Sequence, residues 1–321
     1  GRAAGSLGTL GLEAPGVAPE PSLTTPDPVV LQRTLARLHD AGVDHLALEA
    51  SSHGLDQHRL DGVRIRAAAF TNLTRDHLDY HADMDAYRAA KARLFTELLD
   101  ADGTAVLNAD TPEAAALAES CRERGVRVLT VGEHGRDVVL EAVEPLADGL
   151  RLTLRAGTAR SVAEVPVAGL FQAGNLAAAV GLAIALGAAP GDALAALDAV
   201  RPVPGRLQPV AESGSGAPVY VDYAHTPDAL EQVLTALRPH CAGRLSLVVG
   251  CGGDRDPGKR AEMGAVAARR ADRVIVTDDN PRSEDPATIR AAILRGCPGA
   301  QEVGDRAEAI LRAVDALGPG D

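Results

Sequence analysis

Thr71-Asn72-Leu73-Thr74-Arg75-Asp76-His77-Leu78-Asp79-Tyr80-His81, continued by Met84-Asp85-Ala86-Tyr87-Arg88-Ala89-Ala90-Lys91-Ala92-Arg93-Leu94-Phe95, is where the chain changes its period. Ahead of it, residues 67–73 form an apolar run of strand length. Behind it, Met84, Tyr87, Leu94, Phe95 and Leu98 recur at three- and four-residue spacing, the stripe of an amphipathic helix. A strand that runs into a polar loop and resumes as a helix is one βα unit, and repeated units of this kind build a largely parallel sheet. Lys91 falls on the apolar stripe, four residues after Tyr87 and four before Phe95. Its ammonium must be paired, snorkel to solvent or change its chemical state. Snorkelling is the ordinary outcome. Against it, Lys91 and Lys259 are the only lysines among 32 basic residues. Arginine supplies positive charge everywhere else, so Lys91 reads as chosen for an amine that can lose its proton or accept a covalent modification.

Working outward, residues 1–28 read as loop because Gly, Pro and Thr crowd there. A helix is expected over 30–40, with Val30, Leu31, Leu35 and Leu38 inward and Thr25 or Asp27 as its cap. Residues 45–50 form a buried strand whose Glu49 needs a partner or a cation, followed by Ser51-Ser52-His53-Gly54. Beyond the opening stretch come a strand at 104–108, a helix capped by Asp110 or Thr111, and a strand at 126–131. From 138 to 167 the period becomes two: Leu150, Leu152 and Leu154 alternate with Arg151, Thr153 and Arg155, an antiparallel appendage on a mostly parallel sheet. Asn175, near the start of an alanine-rich helix, could be its cap. Proline and glycine cluster at Arg201-Pro202-Val203-Pro204-Gly205-Arg206, so the domains are expected as 1–203 and 204–321. The second is a Rossmann-like α/β domain. Polar clusters following strands near 219–221, 245–249 and 273–277 are expected to converge on one edge of its parallel sheet.

The composition bounds the function. The chain has 321 residues, 46% hydrophobic and 24% charged, and a net charge of −12 without a basic run, which argues against nucleic-acid binding. No apolar run approaches the ~20 residues that span a bilayer. Four scattered cysteines fit a reducing cytoplasm. Gly253-Asp254-Arg255-Asp256-Pro257-Gly258-Lys259 nearly matches a phosphate loop, but Arg260 stands where a hydroxyl should hold Mg²⁺, and Pro257 removes an amide. An anion site using Arg255 and Lys259 is the better reading. His77 with His81, and His53 with His58, have metal-like spacings but no H-E-x-x-H context, and Ser51 or Ser52 with His53 lacks a G-x-S-x-G elbow. Glu49, His77 and an oxygen derived from Lys91 fit a hard cation better.

Glu49-Ala50-Ser51-Ser52-His53-Gly54-Leu55-Asp56-Gln57-His58-Arg59, the opening stretch with Lys91, Asp222-Tyr223-Ala224-His225-Thr226-Pro227, Gly250-Cys251-Gly252-Gly253-Asp254-Arg255-Asp256 and Asp279-Asn280-Pro281-Arg282 together resemble the Mur ligase family over essentially the whole chain. The resemblance implies an ATPase-type central domain. It also implies ATP-dependent addition of meso-diaminopimelate to UDP-N-acetylmuramoyl-L-alanyl-D-glutamate through an acyl phosphate, by a cytoplasmic monomer. The siblings it leaves open are a lysine-adding ligase and a non-catalytic substrate-binding relative. By the same resemblance, Lys91 is carbamylated and, with Glu49 and His77, supports Mg²⁺. Thr24, Thr25, Ser51, Gln57 and Arg59 hold the UDP-muramoyl dipeptide. Asn175, Arg206 and Asp222, with His225 nearby, contact ATP. Arg255, Asp279, Asn280, Pro281 and Arg282 recognise diaminopimelate. The family's G-T-x-G-K-T phosphate loop, its uridine-binding N-terminal domain and a C-terminal G-K-G-H-E segment do not occur between residues 1 and 321, and Gln172 stands where relatives carry Asn. A fragment, inactive alone, is the expectation.

Overall fold

A computed structural model describes residues 3–74 and 80–321. Contrary to the expected loop, the first twenty residues contain three strands: β1 (Ala4–Gly8), β2 (Gly11–Ala14) and β3 (Val17–Glu20). The glycines that suggested a loop make the turns between them. Gly11 and Gly16 both have positive φ, 94° and 73°, which an L side chain rarely adopts, while Leu7 and Leu12 turn inward.

Helix α1 (Pro28–Asp40) starts at Asp27, whose carboxylate accepts from the Val29 and Val30 amides. Leu31 and Leu38 are buried, whereas Val30, expected inward, is 45% exposed because the buried face runs through 31, 34 and 38. Strand β4 (His45–Leu48) pairs in parallel with β1, giving the order β3-β2-β1-β4. After α2 (Ser52–Asp56) and β5 (Ile65–Phe70) comes the helix of the opening stretch, α3 (Met84–Arg93), which runs into a π-helical turn, Leu94–Leu98. Strand β6 (Leu99–Asn108), helix α4 (Ala114–Glu123), and strands β7 (Arg127–Gly132) and β8 (Val138–Leu146) follow. The parallel ladders β5·β6 and β6·β7 are those expected of repeated βα units, whereas β8, expected to open the antiparallel appendage, pairs in parallel with β7 across a short connection without a helix. Leu31, Leu55, Leu60, Phe95, Leu99 and Leu107 are the largest fully buried side chains in this unit's core. Each contributes about 1.5–3 kcal/mol by leaving water.

The antiparallel appendage is β9 (Gly149–Ala156) and β10 (Ala159–Val165), which complete the order β10-β9-β8-β7-β6-β5. Leu150, Leu152 and Leu154 are fully buried, as the alternation required. Arg151 on the other face pairs with Glu144 and Glu164. Helices α5 (Phe171–Ala185) and α6 (Pro190–Ala195) precede a two-stranded antiparallel ribbon, β11 (Gln208–Glu212) and β12 (Pro218–Val221). Helix α7 (Pro227–Leu237), strand β13 (Ser246–Val249), helix α8 (Gly258–Arg270), strand β14 (Arg273–Val276), helix α9 (Pro286–Leu294), strand β15 (Gln301–Glu302) and helix α10 (Arg306–Asp315) then build a parallel sheet, β13-β14-β15. By contact density the chain forms two units, Gly1–Val139 with Ala177–Ala193, and Leu140–Leu176 with Leu194–Asp321.

Candidate functional site

In the first unit, polar groups gather where β4 ends. Glu49 lies one residue past the strand and is exposed, not buried within it as expected. Thr9 donates to its Oε2 through both the amide, at 3.0 Å, and the hydroxyl, at 2.7 Å. A Cβ on Gly8 would sit 2.6 Å from Glu49 Cδ, so the carboxylate packs against bare backbone. Its Oε1 accepts no hydrogen bond among the described residues. Thr25 is 1% exposed; its hydroxyl donates to the Glu49 carbonyl at 2.7 Å and receives the Ser51 amide and hydroxyl at 3.0 and 3.1 Å. Thr24 joins through Thr9, the two hydroxyl oxygens being 3.0 Å apart. Ser51 also caps α2 by accepting from Gly54. Arg59 donates to the Thr25 carbonyl at 2.7 Å and, through Nε and Nη2, to Gln57 Oε1. Thr24, Thr25, Glu49, Ser51, Gln57 and Arg59, drawn from three separate stretches of the chain, thus form one hydrogen-bonded network through Thr9.

His77 lies outside the described residues. Lys91 is half-buried on α3, with Nζ 5.3 Å from the centre of the Tyr87 ring, a cation–π distance. His81, 5% exposed, stacks on Tyr87 with centroids 5.2 Å apart. Tyr80 meets His81 edge-on at 4.9 Å and approaches His53 at 4.0 Å. A file of rings therefore leads from α2 to Lys91. The sequence placed Tyr87 beneath Lys91 but considered His81 only as a metal-spacing partner of His77. The missed signal was the density of rings in the opening stretch. Asp110 is not the cap of α4. Its carboxylate accepts from the Glu133 and His134 amides and the His134 ring. Burial opposes ionisation there, but these bonds outweigh it and hold the carboxyl below its ordinary range. Asn108 donates to the Thr71 carbonyl at 2.9 Å, fixing the start of the loop after β5.

In the second unit, Asn175 lies inside α5 rather than at its cap, and its amide donates to Gln172 Oε1 at 2.9 Å. Asp222 accepts from the Leu207 and Ala224 amides, each at 2.8 Å. The Arg206 guanidinium lies 5.8 Å from the Tyr223 ring centre, and the His225 ring meets Tyr223 at 5.3 Å. The three polar clusters do not share one sheet edge, because β12 pairs antiparallel with β11 and not with β13. Only the clusters after β13 and β14 follow the parallel strands. The third is tied to them by Lys259, whose ammonium donates to the His225 carbonyl at 2.8 Å. Arg255 is exposed and makes no hydrogen bond or ion pair among the described residues.

Arg282 sits at a φ of +49°. Its Nη1 donates to the Gly253 carbonyl at 2.7 Å and its amide to Asn280 Oδ1. Nε and Nη2, the edge of a guanidinium that grips a carboxylate side-on, make no hydrogen bond among the described residues. A Cβ on Gly253 would fall 1.9 Å from the Pro281 carbonyl oxygen, so only glycine lets the two loops come this close. The Gly253 amide completes the contact by donating to the Asn280 carbonyl.

Residues 2–183 match the model of the Mur ligase middle domain, and residues 205–321 that of the Mur ligase glutamate ligase domain. The chain belongs to the Mur ligase family. This Mur ligase chain is 53% identical over 321 residues to a protein of Mesorhizobium japonicum and 52% identical over 327 residues to one of Caulobacter vibrioides, both named UDP-N-acetylmuramoyl-L-alanyl-D-glutamate–2,6-diaminopimelate ligase. The alignments cover 100% of the chain but 66% and 67% of those relatives, so the chain spans about two thirds of their length. A solved structure bearing the same name is 36% identical and superimposes with a TM-score of 0.74, covering 100% of this chain and 66% of that one. Among the described residues, no helix of this Mur ligase is long and apolar enough to cross a membrane.

Proposed function

We propose that the chain is the middle and C-terminal part, divided at 203/204, of an ATP-dependent ligase that joins meso-2,6-diaminopimelate to UDP-N-acetylmuramoyl-L-alanyl-D-glutamate in cytoplasmic peptidoglycan-precursor synthesis. The family matches at 2–183 and 205–321 support the boundary. One observation carries the choice of acceptor. Arg282 is anchored by Nη1 and keeps its Nε–Nη2 edge open, the donor pair that a second carboxylate fills and that lysine, lacking that carboxylate, cannot.

ATP phosphorylates the D-glutamate side-chain carboxyl; the acceptor amine then attacks the acyl carbon, phosphate leaves, and the amine proton passes to solvent. Ser51, Gln57, Arg59 and Thr24 hold the dipeptide nucleotide. Thr25, buried with its hydroxyl committed to Glu49 and Ser51, serves by positioning them. Asn175 addresses adenine, Arg206 phosphate and Asp222 ribose, with His225 beside them. Asp222 already accepts two amides, which fixes its carboxylate plane. Arg255 and Asp279-Asn280-Pro281-Arg282 address diaminopimelate.

Mg²⁺ fits the donor set. Glu49 Oε1 is a carboxylate oxygen with no partner among the described residues, while Oε2 is pinned by Thr9, so the group is oriented and half free. Lys91 as a carbamate, formed when its neutral amine adds CO₂ and releases a proton, would supply further oxygens, and His77 completes the expected set. When bound, the ion offsets phosphate charge during acyl transfer. No membrane, nucleic acid or second subunit is required. The test is ADP release by the full-length enzyme. Release that needs both the dipeptide nucleotide and diaminopimelate supports the assignment. Release with neither, or turnover only with another acceptor, overturns it.

A further inference from the structure

The acceptor loop carries a second layer that neither the sequence patterns nor the proposed contacts include. Arg260, on α8, is 3% exposed. Its Nη1 and Nη2 grip both oxygens of Glu284, at 2.8 and 2.7 Å, and Nη2 also reaches the Gly252 carbonyl at 3.4 Å. Glu284 Oε1 accepts the Asp254 amide at 2.6 Å. Asp254 in turn accepts the Ser283 hydroxyl at 2.6 Å and the Ser283 amide at 3.2 Å. The loop after β13 and the loop after β14 are thus laced together at positions 252–254 and 282–284.

The lacing falls where the backbone is least comfortable. Asp254 and Arg282 have φ of +51° and +49°, a region that costs non-glycine residues free energy and persists only where surrounding contacts impose it. Glu284 holds the amide of Asp254, and Asp254 holds the residue that follows Arg282. Removing the Arg260–Glu284 pair would release both strained residues together. The Gly253 carbonyl that anchors Arg282 Nη1 would then be free to move away from it. A brace meant only for stability would not need to meet at two left-handed residues on the C-terminal edge of a parallel sheet, where such folds place ligands.

We infer that Arg260 and Glu284 are positioning residues for acceptor selectivity: the pair, with its arginine buried and its carboxylate partly exposed, fixes the left-handed turn at Arg282 so that its open guanidinium edge meets the distal carboxylate of the incoming amino acid. The pair's ionised state agrees, since the Arg260 guanidinium and the Asp254 amide hold the Glu284 carboxyl below its ordinary range. Arg260→Lys would keep the charge but lose the two-pronged grip.

The inference rests on the proposed acceptor, and steady-state kinetics of the full-length enzyme separate the two. If the wild-type enzyme does not use diaminopimelate, the proposed function fails. If it does, Glu284→Gln and Arg260→Lys should each raise KM for diaminopimelate about tenfold or more, the size of one lost charge-assisted bond. KM for ATP and for the dipeptide nucleotide should move by less than about twofold, and selectivity over lysine should fall. Added to Arg282→Ala, Glu284→Gln should have little further effect on KM for diaminopimelate, because both disable one element. An unchanged KM for diaminopimelate, a parallel rise in all three constants, or full additivity with Arg282→Ala would overturn the inference. Ser283→Ala, which cuts only the exposed end of the lacing, provides the same comparison if the Arg260 and Glu284 variants do not fold.

Discussion

Lys91 was conspicuous as a residue before any fold was known, because a chain that otherwise uses arginine kept a lysine on an apolar helix face. Glu49 was conspicuous too, but for the wrong reason. It is not a charge trapped in a strand; it emerges past β4 and is held by Thr9, which the sequence had assigned to a loop. His81 was read only by its spacing from His77, and its stacking on Tyr87 was marked in the sequence by nothing stronger than the density of rings in the opening stretch. Two predictions belong here. Lys91→Arg keeps the cation but cannot form a carbamate, so kcat of the full-length enzyme should drop by about 10²–10³-fold, as when an electrostatic stabiliser is removed. Carbon-13 bicarbonate should give a carbamate signal in the wild type and none in the variant; a fully active Lys91→Arg enzyme would remove the carbamate from the mechanism. Tyr87→Leu should strengthen that signal, because the ring face favours the ammonium, the form that cannot add CO₂, while Tyr87→Phe keeps the ring face and should leave the signal unchanged; a signal weakened by Tyr87→Leu would contradict this.

At the scale of elements, what was legible had a strong period. The alternation over 150–154 gave an antiparallel strand with its leucines fully buried. The Asp27-Pro28 pair marked the start of α1. What was illegible lay where the local signal pointed two ways. Glycines in the first twenty residues suggest loop unless their positive φ is known to turn a hairpin. Asp110 looks like a helix cap until the His134 segment is seen to take its carboxylate. Arg124 is another long-range device with no sequence mark: it donates to the carbonyls of Phe95, Glu97 and Leu99, closing the π-helical turn after α3. Arg124→Met leaves these carbonyls short of donors and should cost about 2–3 kcal/mol, measured as a lower urea midpoint at unchanged m value. A change below a few tenths of that would mean water replaces the guanidinium at no cost.

At the scale of the whole molecule, the two family matches and the fold class were readable from five ordered motifs. The composition of the structural units was not, because each draws on two separate stretches of chain. Within the second unit, Tyr220 donates to the Ala147 carbonyl at 2.8 Å, and His240 bridges Leu146 and Gly169, joining segments more than 70 positions apart. Burial, aided by Asp148, pushes the Tyr220 phenol up to about 12 from its ordinary 10.0. The folded state therefore holds this proton more tightly than the unfolded chain. Its stabilisation is complete below about pH 10 and disappears as pH rises through about 12. The tyrosinate absorbance difference between wild type and Tyr220→Phe should titrate in that upper range; a midpoint near 10 would deny the burial. The central claim is that this Mur ligase chain recognises an acceptor with a second carboxylate through Arg282. The most direct measurement is kcat/KM of the full-length enzyme for meso-diaminopimelate and for lysine, in the wild type and in Arg282→Ala. The expected result is a preference for diaminopimelate of about a hundredfold or more that Arg282→Ala largely abolishes. Equal use of the two amino acids by the wild type, or an undiminished preference in the variant, would contradict it.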